Sequence, residues 1–127
     1  MQKDTIFALS TPQGVGGVAV IRISGPQAQA ALQALFQPAG TSPMEPRKLI
    51  YGRFVFDGTQ IDDGMAVLFC APASYTGEDS AELHCHGSLA VVQQLLGALG
   101  TLPGLRPAEP GEFTKRAFLH GKMDLSQ

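Results

Sequence analysis

The apolar residues of this chain recur with two different periods, and each period marks a kind of element. From Val18 to Ser24 alternate residues are aliphatic, so Ala19, Ile21 and Ile23 share one side of a strand while Val18, Val20 and Arg22 share the other. With the isoleucines in the core, the Arg22 guanidinium must face solvent or a ligand, because an unpaired buried charge is very costly. The segment Ser80 to His86 repeats the pattern, with Ala81, Leu83 and Cys85 expected inside and Ser80, Glu82, His84 and His86 on the polar side. Thr5 to Leu9 reads as a shorter apolar strand. Leu49 to Phe56 and Ile61 to Cys70 read as a hairpin about Asp57-Gly58-Thr59-Gln60, with Asp62-Asp63-Gly64 expected to bulge or delay its second strand.

Spacings of three and four mark the helices. Ser24-Gly25-Pro26 predicts a helix start, with the proline in the first turn where its missing N–H costs nothing. Ala28, Ala31, Leu32, Leu35 and Phe36 then form one apolar stripe. Gly87-Ser88 opens a second helix to about Leu99, with Leu89, Val92, Leu95, Leu96 and Leu99 expected to be buried and Gly100 expected as the cap. Pro38 to Pro46 reads as a loop, and Leu102 to Pro110 as a proline-punctuated connection holding a short strand. Glu112 to His120 reads as a third helix ended by Gly121, with Phe113 and Ala117 on one face. Asp124 to Gln127 has the character of the first turn of a further helix, so the chain is expected to be a piece of a longer protein.

These elements, in 127 residues, fit one compact α+β domain. Composition narrows its class. Only 16% of residues are charged, against roughly 25% in a typical soluble domain, which suits an enclosed cavity or a surface covered by another subunit. A net charge of −2 argues against a free-standing nucleic-acid binder. No stretch approaches about 18 consecutive apolar residues, so no membrane span is expected. Met1 to Asp4 lacks the blocks of a secretory signal, and two cysteines are too few for a disulfide scaffold, so a reducing, cytoplasmic setting is expected.

Several conspicuous groups invite chemistry. The turn Gly14-Val15-Gly16-Gly17-Val18-Ala19 partly satisfies a dinucleotide-binding pattern, but a strand follows where that pattern needs a helix N-terminus, which leaves a structural turn or a close approach to some other ligand. His84-Cys85-His86 looks like a metal set, yet strand alternation puts the cysteine opposite the histidines, so no metal ligands are assigned. The same alternation separates the thiol from an imidazole base, and Asp79 with Glu82 as an acid/base pair is outweighed by a turn-bonding role for Asp79. No catalytic residues are assigned. Lys115-Arg116 is the best phosphate-contact candidate, set against a solvated helix face. What remains is Glu82 with the cations Arg22 and Lys122. A carboxylate can clamp a planar group through adjacent N–H donors, and Arg and Lys can meet carboxylate oxygens, which suits a flat heterocycle with an anionic tail. From spacing alone, Glu82 as a solvated or ion-paired strand residue and Lys122 as a surface lysine stay open beside that reading.

Four blocks carry a family resemblance: DTIFALSTPQGVGG at Asp4 to Gly17, VIRISGP at Val20 to Pro26, SYTGEDSAELHCHG at Ser74 to Gly87, and LPGLRPAEPGEFTKRAFLHGKMDLSQ at Leu102 to Gln127. In content and order they resemble the N-terminal domain of the tRNA modification GTPase family MnmE/TrmE. The resemblance implies a mixed-sheet folate-binding, dimer-forming domain, similar in fold to the folate-binding domain of glycine-cleavage aminomethyltransferase. It implies a domain at residues 1–121 and, at 122–127, the start of a helical domain that carries a GTPase using GTP, potassium and magnesium. With the FAD-dependent partner MnmG, such a protein modifies C5 of the wobble uridine in tRNA to aminomethyl or carboxymethylaminomethyl forms, drawing on a folate one-carbon unit. The implied contacts to 5-formyltetrahydrofolate or another one-carbon derivative are Arg22, Glu82 and Lys122, and the fragment is not expected to be catalytic by itself. The alternative is a dimerisation and partner-docking module without intrinsic ligand function. Gln13 and Val15 stand where relatives commonly carry proline and a basic residue, and Cys85 and Ser88 replace common glycines.

Overall fold

The computed structural model describes residues 4–11, 17–41 and 43–122. Seven strands form one mixed sheet: β1 Thr5–Leu9, β2 Val18–Ser24, β3 Phe36–Pro38, β4 Ile50–Phe56, β5 Thr59–Phe69, β6 Ser80–His86 and β7 Leu105–Pro107. Their spatial order is β3-β4-β5-β6-β2-β1-β7, antiparallel throughout except for the β1/β7 pair. Helices α1 Ala28–Leu35 and α2 Leu89–Gly100 pack on one face, and α3 Glu112–Leu119 closes one end of the other. The α+β class expected from the periodicities is therefore observed.

The period-two segments place the core. Ile21, Ile23, Ala81, Leu83 and Cys85 are all buried, and they meet Ala28, Ala31, Leu32 and Leu35 of α1 and Val92, Leu95, Ala98 and Leu99 of α2. Strands β2 and β6 pair residue for residue, Ile21 opposite Leu83 and Arg22 opposite Glu82. One face of the central strands is thus aliphatic, and the other carries Arg22, Glu82, His84 and His86.

Local details depart from the sequence expectations where tertiary contacts intervene. Helix α1 begins at Ala28, two residues beyond Pro26, because Gln27 donates its N–H to Thr5 Oγ1 at 2.7 Å and Gly25 takes φ 137° against the Thr5 backbone. Phe36, expected in the helical stripe, is instead the first residue of β3, where it packs tilted against Phe54. The hairpin turn is only Asp57-Gly58, both at positive φ, so β5 starts at Thr59 and its irregularity falls at Ile61, ahead of Asp62-Asp63-Gly64. Leu89 is 56% exposed at the start of α2, Ala98 joins the buried stripe, and Thr101 rather than Gly100 is the C-cap. Ser88 caps the N-terminus through its Oγ, which accepts the Val91 N–H at 3.2 Å. Asp124 to Gln127 and most of the Gly14 to Gly17 turn lie outside the described residues.

The largest correction concerns Arg116. As half of the basic pair on α3 it was expected on a solvated face or at a phosphate; its side chain is in fact fully buried. Nη1 donates to both Glu78 carboxylate oxygens, at 3.2 and 3.3 Å, and to the Asp4 carbonyl at 3.0 Å. Nη2 donates to Asp4 Oδ1 at 2.8 Å and to Glu112 Oε2 at 3.3 Å, the latter one helical turn away. Arg106 joins the cluster through Asp4 and, at 2.5 Å, Glu112, and its guanidinium holds the Glu112 carboxyl down to about 2 against the opposing effect of burial. Only Lys115 of the basic pair is exposed.

Removing one partner of a buried ion pair strands the other, so Arg116→Met should lower unfolding free energy by about 3–5 kcal/mol in urea titration. Adding Glu78→Leu should return part of that loss. At the other end of β6, the His86 Nδ1 lies 2.8 Å from Asp62 Oδ1, and the hydrogen bond and charge of Asp62 raise the His86 pKa. A raised histidine stabilises the fold fully below its unfolded value of about 6.5 and ceases to do so as pH rises through its folded value. Melting temperature should therefore fall slightly between about pH 6 and 8 in low salt, and Asp62→Asn should flatten that dependence.

Candidate functional site

The polar side of β2 and β6 forms the floor of a recess. Arg22 and Glu82 sit directly across the two strands, their nearest charged atoms, Nη2 and Oε2, 3.5 Å apart, with both side chains partly exposed. The other Glu82 oxygen lies 3.0 Å from His84 Nε2, a same-face neighbour two residues along the strand. The hydrogen bond to His84 is the main influence lowering the Glu82 pKa; burial opposes it, and Arg22 adds to it. Glu82 is consequently a carboxylate at neutral pH, able to accept hydrogen bonds from a ligand.

Aromatic side chains wall this floor. The Arg22 guanidinium carbon stands 5.2 Å from the Tyr75 ring centroid and 5.9 Å from that of Phe113 on α3. Phe69, at the end of β5, Tyr75 and Ser80 complete a recess of about 250 Å³ with Arg22 and Glu82. Tyr75 is fixed toward α3 by its hydroxyl, 3.2 Å from Thr114 Oγ1. Behind the recess a buried hydroxyl chain joins Ser80, Thr76 and Ser24 to Glu78, the carboxylate that holds Arg116. The floor is thereby tied through hydrogen bonds to the ion cluster that seats α3.

Lys122 does not touch Arg22 or Glu82. It lines an adjoining recess of about 300 Å³ with Arg47, Ala73 and Ser74, and shares Phe69 and Tyr75 with the first. Its Nζ donates to the Pro72 carbonyl at 3.1 Å. Gly77 makes this placement available: at φ 82° it lies under the end of α3, and an added Cβ would come within 2.8 Å of His120 Cβ and 3.3 Å of Lys122 Cγ. The structure thus brings Arg22 and Glu82 together and sets Lys122 on the far side of a shared aromatic wall.

Sequence reasoning named the charged residues and passed over Tyr75, Phe113 and Phe69. Tyr75 belonged to the polar segment that the sequence singled out, but strand alternation carries no information about a residue in an irregular loop. Phe113 was placed correctly on a helix face, and the signal that this face meets Arg22 resides in tertiary structure alone.

The more conspicuous groups have structural roles. Cys85 is buried in the core, and burial pushes its thiol up to about 11, which disfavours the thiolate a nucleophile needs. Asp79 accepts the Ala71 N–H at 2.8 Å, a turn-bonding role. Among the described residues Asp62, Asp63 and His86 place three possible metal-ligand atoms within 4.8 Å of one another, but both Asp62 oxygens accept bonds from His86 and an Asp63 oxygen accepts the Tyr51 hydroxyl at 2.6 Å. No described helix is long and apolar enough to cross a membrane.

Comparison with known proteins matches the chain over nearly the whole described length. The family described as GTP-binding protein TrmE N-terminus matches residues 5–122. A protein of Parvibaculum lavamentivorans named tRNA modification GTPase MnmE is 53% identical over 126 residues, which are 98% of this chain and 28% of that protein. Its namesake in Alkalilimnicola ehrlichii is 52% identical across 100% of the chain, and that in Synechococcus sp. is 45% identical across 97%, in each case covering 28% of the relative. The chain spans a little over a quarter of the length of these relatives, and it belongs to the TrmE N-terminal family.

Proposed function

We propose that this chain binds a tetrahydrofolate one-carbon derivative, such as 5-formyltetrahydrofolate, in the recess of Arg22 and Glu82. The cross-strand pairing of a carboxylate and a guanidinium beside the Tyr75 ring is the observation that carries this reading. The donor set fits the ligand. Glu82 accepts the paired amino and ring N–H groups of a pterin edge, the aromatic wall lies against the flat ring, and cations meet the oxygens. Lys122, across the Phe69 and Tyr75 wall, suits an anionic tail that extends from the first recess into the second. When bound, the folate supplies the one-carbon unit; the side chains orient it and hold its edge out of water.

The family and the names of the relatives support a larger setting. Residues 1–121 serve as the folate-binding and dimer-forming domain of a GTPase, with a fold like the folate-binding domain of glycine-cleavage aminomethyltransferase. Residues 122–127 open a helical domain, and GTP, potassium and magnesium act in the GTPase portion. Homodimers of that protein work with the FAD-dependent MnmG on tRNA, building the aminomethyl or carboxymethylaminomethyl group at C5 of the wobble uridine.

Calorimetric titration with 5-formyltetrahydrofolate should show saturable binding. Glu82→Gln should weaken it by about 1.5–3 kcal/mol, one to two decades in dissociation constant, with the fold intact by circular dichroism. Binding unchanged in that variant would remove Glu82 from the site. Lys122→Ala should cost affinity for the tailed ligand and leave binding of a tail-less tetrahydropterin within about twofold, because a point charge on the far recess contributes only where the anion reaches it.

A further inference from the structure

Arg22 is held only loosely by the protein where it stands, its partly exposed side chain sharing its donors with water. Among the described residues its guanidinium makes no hydrogen bond within ordinary limits, and its one ion-pair contact, to Glu82, is 3.5 Å long. The group rests instead over the Tyr75 and Phe113 rings, within the roughly 6 Å at which an aromatic face attracts a cation. A guanidinium is a flat N–C–N unit with N–H donors on adjacent nitrogens. The amino and ring N–H edge of a pterin is also a flat N–C–N unit with adjacent donors. Both therefore make the same demands on their surroundings, namely an aromatic face against the plane and a carboxylate at the edge.

From this correspondence we infer that Tyr75 and Phe113 wall a slot selective for planar, guanidine-edged groups, and that the Arg22 side chain fills it when no ligand is bound. The inference rests on the folate reading for the identity of the natural occupant, though not for the existence of the slot. An entering ring displaces the guanidinium from the aromatic wall and from Glu82. Arg22 then turns, still charged, to the oxygens of the ligand. The same residue competes with the ring and rewards the anionic part, so the site discriminates against bare rings in favour of ligands that bring oxygens for the displaced cation. Tyr75 and Phe113 set specificity for the ring, and Arg22 sets the threshold for its entry.

Two measurements separate the slot from the folate reading. In the first, 5-formyltetrahydrofolate and a tail-less tetrahydropterin are titrated calorimetrically into wild type, Arg22→Ala, Tyr75→Leu and Phe113→Leu. The two aromatic variants should bind both ligands roughly three- to tenfold more weakly. Arg22→Ala should bind the tailed ligand about tenfold more weakly but the tail-less ring about threefold more tightly, since nothing then competes for the slot. Equal weakening of both ligands in Arg22→Ala would overturn the displacement. In the second, methylguanidinium is added at low millimolar concentration and melting temperature is recorded. It should raise the melting temperature of Arg22→Ala, whose slot is vacated, and leave wild type and the Arg22→Ala/Tyr75→Leu double variant unmoved. No effect on Arg22→Ala would overturn the slot. If methylguanidinium stabilises Arg22→Ala while neither pterin ligand binds wild type, the slot stands and the folate assignment fails.

Discussion

The guanidinium of Arg116 is the group on which the arrangement around the recess depends. A fully buried cation must be met by opposite charge, and here the charges come from places far apart in the chain: Asp4 ahead of β1, Glu78 in the loop before β6, and Glu112 one turn earlier on α3. Meeting that demand fixes α3 against the sheet. Once α3 is fixed, Phe113 comes over Arg22, Thr114 meets the Tyr75 hydroxyl, and the turn after the helix carries Lys122 to Pro72. The buried carboxylate of Glu78 also accepts from Ser24, so the strand that presents Arg22 is bonded to the loop that presents Tyr75. Buried ion clusters contribute little net stability compared with apolar packing of the same volume, but they penalise any arrangement in which a partner is missing. A site assembled from a strand, a loop and a helix gains from such a penalty, because a misplaced α3 leaves a charge unpaired.

This dependence also explains what could and could not be read from the sequence. The period-two segments gave the orientation of Arg22 and Glu82 without further information, since a strand places alternate side chains on opposite faces whatever its neighbours are. Their direct pairing followed from β2 and β6 being adjacent in register, which the matching alternation of the two segments allowed but did not require. Arg116 could not be placed in this way. On α3 the apolar signal is short, and a basic residue beside Lys115 has the pattern of a solvated face. Its burial is decided by carboxylates up to 112 residues away. The exposed Leu89 and the three-residue strand β3 belong to the same class of errors, in which a local pattern meets a packing environment set elsewhere, whereas β7 falls inside the connection where a short strand was expected.

Of the four positions where the family resemblance leads one to expect other residues, Gln13 and Val15 lie outside the described residues, and Cys85 and Ser88, where glycine is expected, have local roles. Cys85 points into the core on the face opposite the recess, and Ser88 supplies the cap of α2. A thiol in the core replaces the freedom of a glycine with packing volume, and a hydroxyl at the N-cap replaces it with a hydrogen bond to a helix amide. Both exchanges act on the side of the sheet that carries α1 and α2 or at its edge. Neither adds a group to the Arg22 and Glu82 floor.

The two faces of the sheet therefore meet different requirements. The face under α1 and α2 is filled with aliphatic side chains, and its demands are met by volume and shape. The opposite face carries charged groups that the protein surrounds with carboxylates at one end, where only the buried Arg116 Nε lacks a partner among the described residues, and leaves partly open to water at the other. Around Arg116 carboxylates and a carbonyl meet both terminal nitrogens of the guanidinium; around Arg22, in β2, the described residues provide two rings and one distant carboxylate oxygen. Arg116 and Arg22 thus mark the structural pole of this face and the pole of the proposed recess. The physical distinction between them is whether the protein itself supplies the oxygen atoms that a guanidinium requires.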